Sequence, residues 1–159
     1  MSSRLVLPLV ALLFLAACES REVDKDLKIL DVQTGWYDAG VQEDGNNKIV
    51  PSVSLTLQNV SDRDIASVQL NAVFRRVGEQ DAWGEHFIRA IDANGLAAGK
   101  KTPQIVLRST LGYTGTDSRE KMLEHKAFVD AKVEVYGKHG SRTWVKMGDF
   151  QIDRHLLTE

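Results

Sequence analysis

The chain predicts an all-β fold, an immunoglobulin-like antiparallel sandwich of two sheets with about seven strands and one short helix. Three observations carry that expectation. Apolar and polar residues alternate with a period of two through much of the body. Turn-forming clusters recur roughly every ten positions, and only one stretch carries the signals that start a helix.

The clearest strand is SVSLTLQN, from Ser52, where Val53, Leu55 and Leu57 share one face and Ser52, Ser54, Thr56 and Gln58 the other. It runs into NVSDRD, whose side chains satisfy the backbone of a turn. From Ile65 to Arg76 the alternation resumes, with Val68, Leu70, Ala72 and Phe74 opposite Gln69, Asn71 and Arg75. Closeness across the turn predicts that these two segments pair with each other. Further on, FVDAKVEVY sets Val129, Ala131, Val133 and Val135 against Asp130, Lys132 and Glu134, and GKHGS turns the chain into TWVKMGDFQI. There Thr143, Val145 and Met147 share a face while Phe150 and Ile152 have the opposite parity. A bulge at Gly148 or Asp149 is expected to bring them back. Weaker strands are expected at Lys28 to Tyr37, Glu85 to Ile91 and Gln104 to Gly112. The helix signal lies in TDSREKMLEHKAF. Asp117 reads as the cap, Glu120 as the closing partner of a capping box, and Met122 and Leu123 as the buried contacts of a helix over Ser118 to Lys126. That helix is expected to cross between the sheets and cover one end.

Ahead of the strands, MSSRLVLPLVALLFLAAC carries one charge, Arg4, and then an uncharged apolar run from Leu5 to Ala17. The run has the length of a signal-peptide core and falls short of the roughly 20 residues that a membrane-spanning helix needs. Its end, Leu15-Ala16-Ala17-Cys18, resembles the lipobox of bacterial lipoproteins: a large apolar residue, two small ones, and the cysteine whose sulfur takes the lipid. The resemblance implies cleavage before Cys18, fatty chains of the palmitate kind on its sulfur and new amino group, and attachment to a membrane. Asp after such a cysteine favours retention in the inner membrane of enteric bacteria; Glu19 is a weaker version of that signal, so the outer membrane, facing the periplasm, is expected. The organisation that follows is a leader at 1–17, a lipidated cysteine and tether at 18–27, and a sandwich domain at 28–159. In the tether, ESREVDKDL is apolar only at Val23 and Leu27, and its nine residues reach at most about 30 Å when extended.

Without residues 1–17, the 159-residue chain becomes 142 residues, one domain with room for a real core. Cys18 is the only cysteine, so acylation excludes disulfides, thiolate metal ligands and cysteine nucleophiles. Arg4 leaves with the leader, so 19 Lys and Arg face 22 Asp and Glu, and no basic stripe for nucleic acid appears.

Motif readings are mostly negative. ANGLAAGKKTP has the ingredients of a phosphate loop, but only three residues separate Gly95 from Gly99, and Lys101 stands between Lys100 and Thr102. It reads better as a loop before a strand. The histidines His86, His125, His139 and His155 are scattered, and Glu85 and His86 would point to opposite faces of one strand, so no metal and no cofactor are expected. No GxSxG is present, and Asp62 and Asp64 read as solvated turn carboxylates, so no catalytic residues are assigned. Trp36 and Tyr37 beside the loop DAGVQEDGNN, Trp83 in EQDAWGEHF, and Tyr113 are the candidate contacts for a ligand or partner. Packing in the core or at its rim is the competing account of each. Trp144, inside an alternating strand, is expected to cover an edge.

The segment LQNVSDRDIASVQLNAVFRRVGEQ, through Asn59, Ser61, Asp62, Ile65, Val68, Leu70 and Phe74, resembles the bacterial FxLYD-type envelope domains and related immunoglobulin-like lipoprotein modules. In GLAAGKKTPQIVL, Leu96 and Gly99 resemble the turn those domains place later, whereas Arg75 and Arg76 stand where the family has Tyr-Asp. The resemblance covers residues 50–110 and implies a fold without catalytic residues. The function expected from all of this is a non-enzymatic binding or accessory module of a cell-envelope assembly, with another envelope protein as partner. The alternatives are a lipoprotein that carries or senses a small ligand or glycan, and an uncatalogued envelope hydrolase.

Overall fold

The computed structural model describes residues 22–157; the leader and Cys18 lie outside the described residues. The chain forms α1 (Val23–Asp26), β1 (Leu27–Val41), β2 (Asn47–Asn59), β3 (Val68–Arg76), β4 (Gly84–Ile91), β5 (Ile105–Arg108), β6 (Tyr113–Gly115), α2 (Arg119–Glu124), β7 (Ala131–His139) and β8 (Val145–Gln151). All strand pairs within the sheets are antiparallel. The first sheet has the order β1-β2-β5, with β6 also on β2; the second has the order β4-β3-β7-β8. The fold is thus the expected all-β two-sheet sandwich, with eight strands among the described residues, two of them long.

The core lies where the inward parities of the two sheets meet. Val53, Leu55 and Leu57 of β2 face Val68, Leu70, Ala72 and Phe74 of β3, and all are fully buried. Each such aliphatic side chain contributes about 1.5–3 kcal/mol of burial free energy. From β7 come Ala131, Val133 and Val135. Val129, assigned to the same face, is half-buried and precedes the strand.

β2 and β3 do not pair; they belong to different sheets. Alternation fixes which face a residue takes, not which strand lies beside it. The connection at 60–67 is long enough to span the roughly 10 Å between sheets. Ile65 plugs it into the core at 2% exposure and bridges Leu96. Asn59, buried at its start, donates through Nδ2 to the carbonyls of Arg63 (2.8 Å) and Leu96 (2.9 Å), and Oδ1 accepts from the Ser61 N–H and hydroxyl.

Of the register shifts along the sheet edges, two account for the parity reversals in the sequence. In β1 the register shifts between Leu30 and Gln33, where Asp31 has φ 53 and its carboxylate accepts from the Thr56 hydroxyl at 2.7 Å. Leu27 and Ile29 before the shift, and Thr34 and Trp36 after it, therefore all face inward despite opposite parity. In β8, Tyr136 pairs with Lys146 and Val135 with Gly148, so Met147 is the extra residue, one position before the expected bulge. Met147, Phe150 and Ile152 then all pack on the core.

The segment expected at Gln104 to Gly112 stops as a strand at Arg108, and β6 resumes beside β2 from Tyr113. Gly112 lies against the Ile49 carbonyl so closely that a Cβ there would collide with its oxygen. The helix is one turn and a half, Arg119–Glu124, and its cap is Ser118 rather than Asp117: the Ser118 hydroxyl accepts from the Lys121 N–H at 3.5 Å. Met122 and Leu123 are buried, and α2 connects β6 of the first sheet to β7 of the second, as expected.

The packed body begins earlier than Lys28. Val23 and Leu27 are each 3% exposed, and Val23 reaches the core beside Gly137. Two apolar residues four positions apart were enough to draw this stretch onto the sandwich. It is not a solvated spacer over its full length.

Candidate functional site

Three of the four aromatic candidates converge at the end of the sandwich remote from Leu27. Trp36 points inward from β1, Trp83 comes from the β3–β4 connection, and Tyr113 opens β6. Phe128, between α2 and β7, completes the group. Ring centroids are 5.6 Å apart for Trp36–Tyr113, 4.8 Å for Trp36–Phe128, 4.9 Å for Trp83–Tyr113 and 4.8 Å for Tyr113–Phe128. These spacings suit tilted and edge-on packing. The Arg76 guanidinium lies 5.5 Å from the Trp83 centroid, and Arg154 caps Phe128 at 4.9 Å while holding both oxygens of Asp130 at 2.9 Å.

Trp36 is 0% exposed, so its ring has no face left to present; it is the hub of the cluster rather than a contact for a ligand. Its indole N–H is buried without a hydrogen-bond partner among the described residues. Trp83 and Tyr113 are half-buried, and the Tyr113 hydroxyl donates to the Val129 carbonyl at 3.1 Å. Beside them is a recess of about 330 Å³ lined by Tyr113, Gly115, Met122, His125, Ala127 and Phe128. His125 turns its Nδ1 toward the Ala127 N–H at 3.1 Å, closing the turn after α2. The recess is apolar at Tyr113, Met122 and Phe128, and the exposed Thr114, Thr116 and Asp117 also line it.

Tyr37, next to Trp36 but on the outer face, is separate from this group. The Arg108 guanidinium stacks 3.4 Å from its ring centroid. Ser52, expected on the wet face, is fully buried there, and its hydroxyl donates to the Leu107 carbonyl at 3.3 Å.

The titratable residues singled out in the sequence serve the scaffold. His86 accepts the Arg108 N–H through Nδ1 at 2.8 Å, tying the β4 edge to the β5 edge, while Glu85 lies on the opposite face near Asn71 at 3.4 Å. Asp62 and Asp64 are exposed in their turn. Among the described residues, no three His, Cys, Asp or Glu side chains gather around a point that one metal ion would occupy. In ANGLAAGKKTP, the Thr102 hydroxyl accepts from the Leu57 N–H at 3.0 Å, and the segment is the loop leading to β5.

The sequence reading missed Phe128 and the Glu134 network. Glu134, on the outer face of β7, accepts from Arg75 (3.1 Å), Lys146 (2.9 Å) and the Tyr136 hydroxyl (3.2 Å). The Lys146 hydrogen bond is the largest influence on its carboxyl, opposed by burial and supported by Arg75 and Tyr136; the pKa falls to about 2. Phe128 and Tyr113 flank α2 in the sequence, and that placement was the available signal.

No family model matches the chain. No curated protein matches it either. One solved structure, described as the X-ray structure of a Northeast Structural Genomics Consortium target, aligns with a TM-score of 0.42 at 9% identity, over 82% of this chain and 89% of its own. Likeness of that degree carries no functional information.

Proposed function

We propose that this chain is a lipid-anchored envelope protein of the periplasm, a non-enzymatic module that holds a β-sandwich at the membrane and offers its remote end to another envelope component. The observation that carries the proposal is Leu15-Ala16-Ala17-Cys18 at the close of an apolar, singly charged leader. What supports the non-enzymatic part is the employment of the polar groups. His86 ties two strand edges, Glu134 neutralises its cations, and Asp130 clamps Arg154. The remote end, with Trp83, Tyr113, Phe128 and α2, is the place for a partner, because a half-buried aromatic rim supplies contact area at little entropic cost.

The anchor is tested by growing cells with a palmitate analogue and comparing the native chain with Cys18→Ala. Label and membrane sedimentation are expected only for the native chain. Equal label in both overturns the reading. A second reading, a carrier of small apolar ligands, draws on the recess of about 330 Å³ beside Tyr113 and Phe128. Tryptophan emission that stays constant across lipids, sugars and peptidoglycan fragments counts against it.

A further inference from the structure

The N-terminal chain leaves the sandwich beside one particular hairpin. Glu22, Val23 and Asp24 border a recess with His139, Arg142 and Thr143, in the turn between β7 and β8. Cys18 precedes Glu22 by four residues, a span of at most about 14 Å. A lipid on Cys18 therefore keeps this hairpin close to the bilayer.

The outer face next to the hairpin has the chemistry of a membrane-contact surface. Phe87 on β4 is 57% exposed, and the Trp144 ring meets it edge-on with centroids 5.9 Å apart. The Lys138 ammonium lies 4.8 Å from the Trp144 centroid. The strand register sets Arg89, Gln69 and Lys138 in one row across β4, β3 and β7, and Arg142 is exposed in the turn. Among the described residues none of Arg89, Lys138 and Arg142 is engaged in an ion pair. The acids nearby are partly occupied: Glu22 pairs with Lys25, and Glu134 and Asp149 with Lys146, leaving Asp24 exposed at the recess and Glu85 exposed two residues from Phe87 on β4. Arg89, Lys138 and Arg142 outnumber these two acids, in a chain whose formal net charge is −2.

Resting on the lipid-anchor reading, we infer that the β7–β8 hairpin, with Trp144 and Phe87, docks on the anionic phospholipid surface that holds the anchor. Lys138, Arg142 and Arg89 meet headgroup phosphates, and the two rings enter the headgroup layer. Indole rings favour that layer, and basic side chains favour an anionic leaflet. The short tether makes the encounter intramolecular, so a patch too weak to recruit a soluble protein suffices here.

The test uses the processed full chain in vesicles of phosphatidylethanolamine and phosphatidylglycerol carrying shallow brominated acyl chains. Intact mass and vesicle flotation read the anchor, and tryptophan quenching reads the docking. Quenching is expected in the native protein and largely absent in Trp144→Phe, since Trp36 and Trp83 sit at the other end. The pair Lys138→Glu and Arg142→Glu, both outside the core, is expected to lower the docked-to-lifted ratio by at least about fivefold per charge lost. Acylated, floating protein that is not quenched, or is quenched equally in Trp144→Phe, overturns the docking and leaves the anchor standing. Quenching that ignores both the charge reversal and removal of phosphatidylglycerol overturns the anionic assignment. Energy transfer between labelled copies in place of quenching gives the face to a second copy and overturns the inference. Unacylated protein that does not float removes the anchor and the docking together.

Discussion

Glu134 shows how one side chain sets a dependence on pH. Its side chain is 13% exposed, with Arg75, Lys146 and Tyr136 all donating to it, and these donors hold the carboxyl near 2 against an ordinary value of 4.5. A folded-state pKa below the unfolded one means the contribution is complete above about 4.5, shrinks as the pH falls, and is gone once the pH passes below about 2. The shift corresponds to something on the order of 2–3 kcal/mol at neutral pH. Glu134→Gln should therefore be less stable than the native protein by about that amount at pH 7 and nearly equal to it at pH 2. Urea unfolding at both values checks this, and a gap that does not shrink with acid would mean that the carboxylate's charge is not the cause. Neither Arg75 nor Lys146 is marked in the sequence as a partner of Glu134, because their meeting depends on β3, β7 and β8 lying side by side in one register.

At the scale of elements, what the sequence made legible follows from position in the sheet. β2, β3 and β7 are interior strands that largely keep the alternation, and their apolar inward residues read correctly, with Ser52 of β2 buried against the reading. β1 and β8 are edge strands whose bulges reverse parity, which is why Lys28 to Tyr37 reads weakly. Neighbours were not legible, since the link from Asn59 to Val68 has the same composition whether it closes a hairpin or changes sheets. At the candidate site, Trp83 and Tyr113 were legible as rim aromatics, but the sealing of Trp36 was not. It depends on the last residues, which leave β8, cross to the first sheet, and pair with β1: the Trp36 N–H donates to the His155 carbonyl at 2.8 Å and the Leu157 N–H to the Trp36 carbonyl at 2.9 Å. The Asp153 N–H adds a bond to the Thr34 hydroxyl at 3.1 Å. Ending the chain after Ile152 removes these three bonds at about 1 kcal/mol each and opens the β1 edge. A loss of about 3 kcal/mol in urea unfolding is expected, with a red-shifted tryptophan emission and a greater tendency to self-associate in light scattering. An unshifted emission would mean the tail covers nothing that matters to Trp36.

The two sheets are joined repeatedly by the chain itself, and this governs how the whole molecule comes apart. The segment at 60–67 carries the chain from the first sheet to the second, 92–104 brings it back, α2 takes it across again, and 152–157 returns it to β1. Each crossing buries a residue of its own: Ile65 in the first, Thr102 in the second, Met122 and Leu123 in the third, Ile152 in the last. A sheet cannot leave without pulling those residues out of the shared core, so neither sheet has a stable existence apart from the other. Unfolding should be a single transition in which far-UV circular dichroism, reporting strands throughout, coincides with the emission of Trp36 and Trp83 at one end. Because the β2–β5, β2–β6 and β3–β7 pairings join distant segments, refolding should take milliseconds to seconds rather than microseconds. Emission that is lost at lower denaturant than the dichroism would show the aromatic end opening by itself. It would then be a separate and softer unit, able to open without disturbing the end of the sandwich at Leu27.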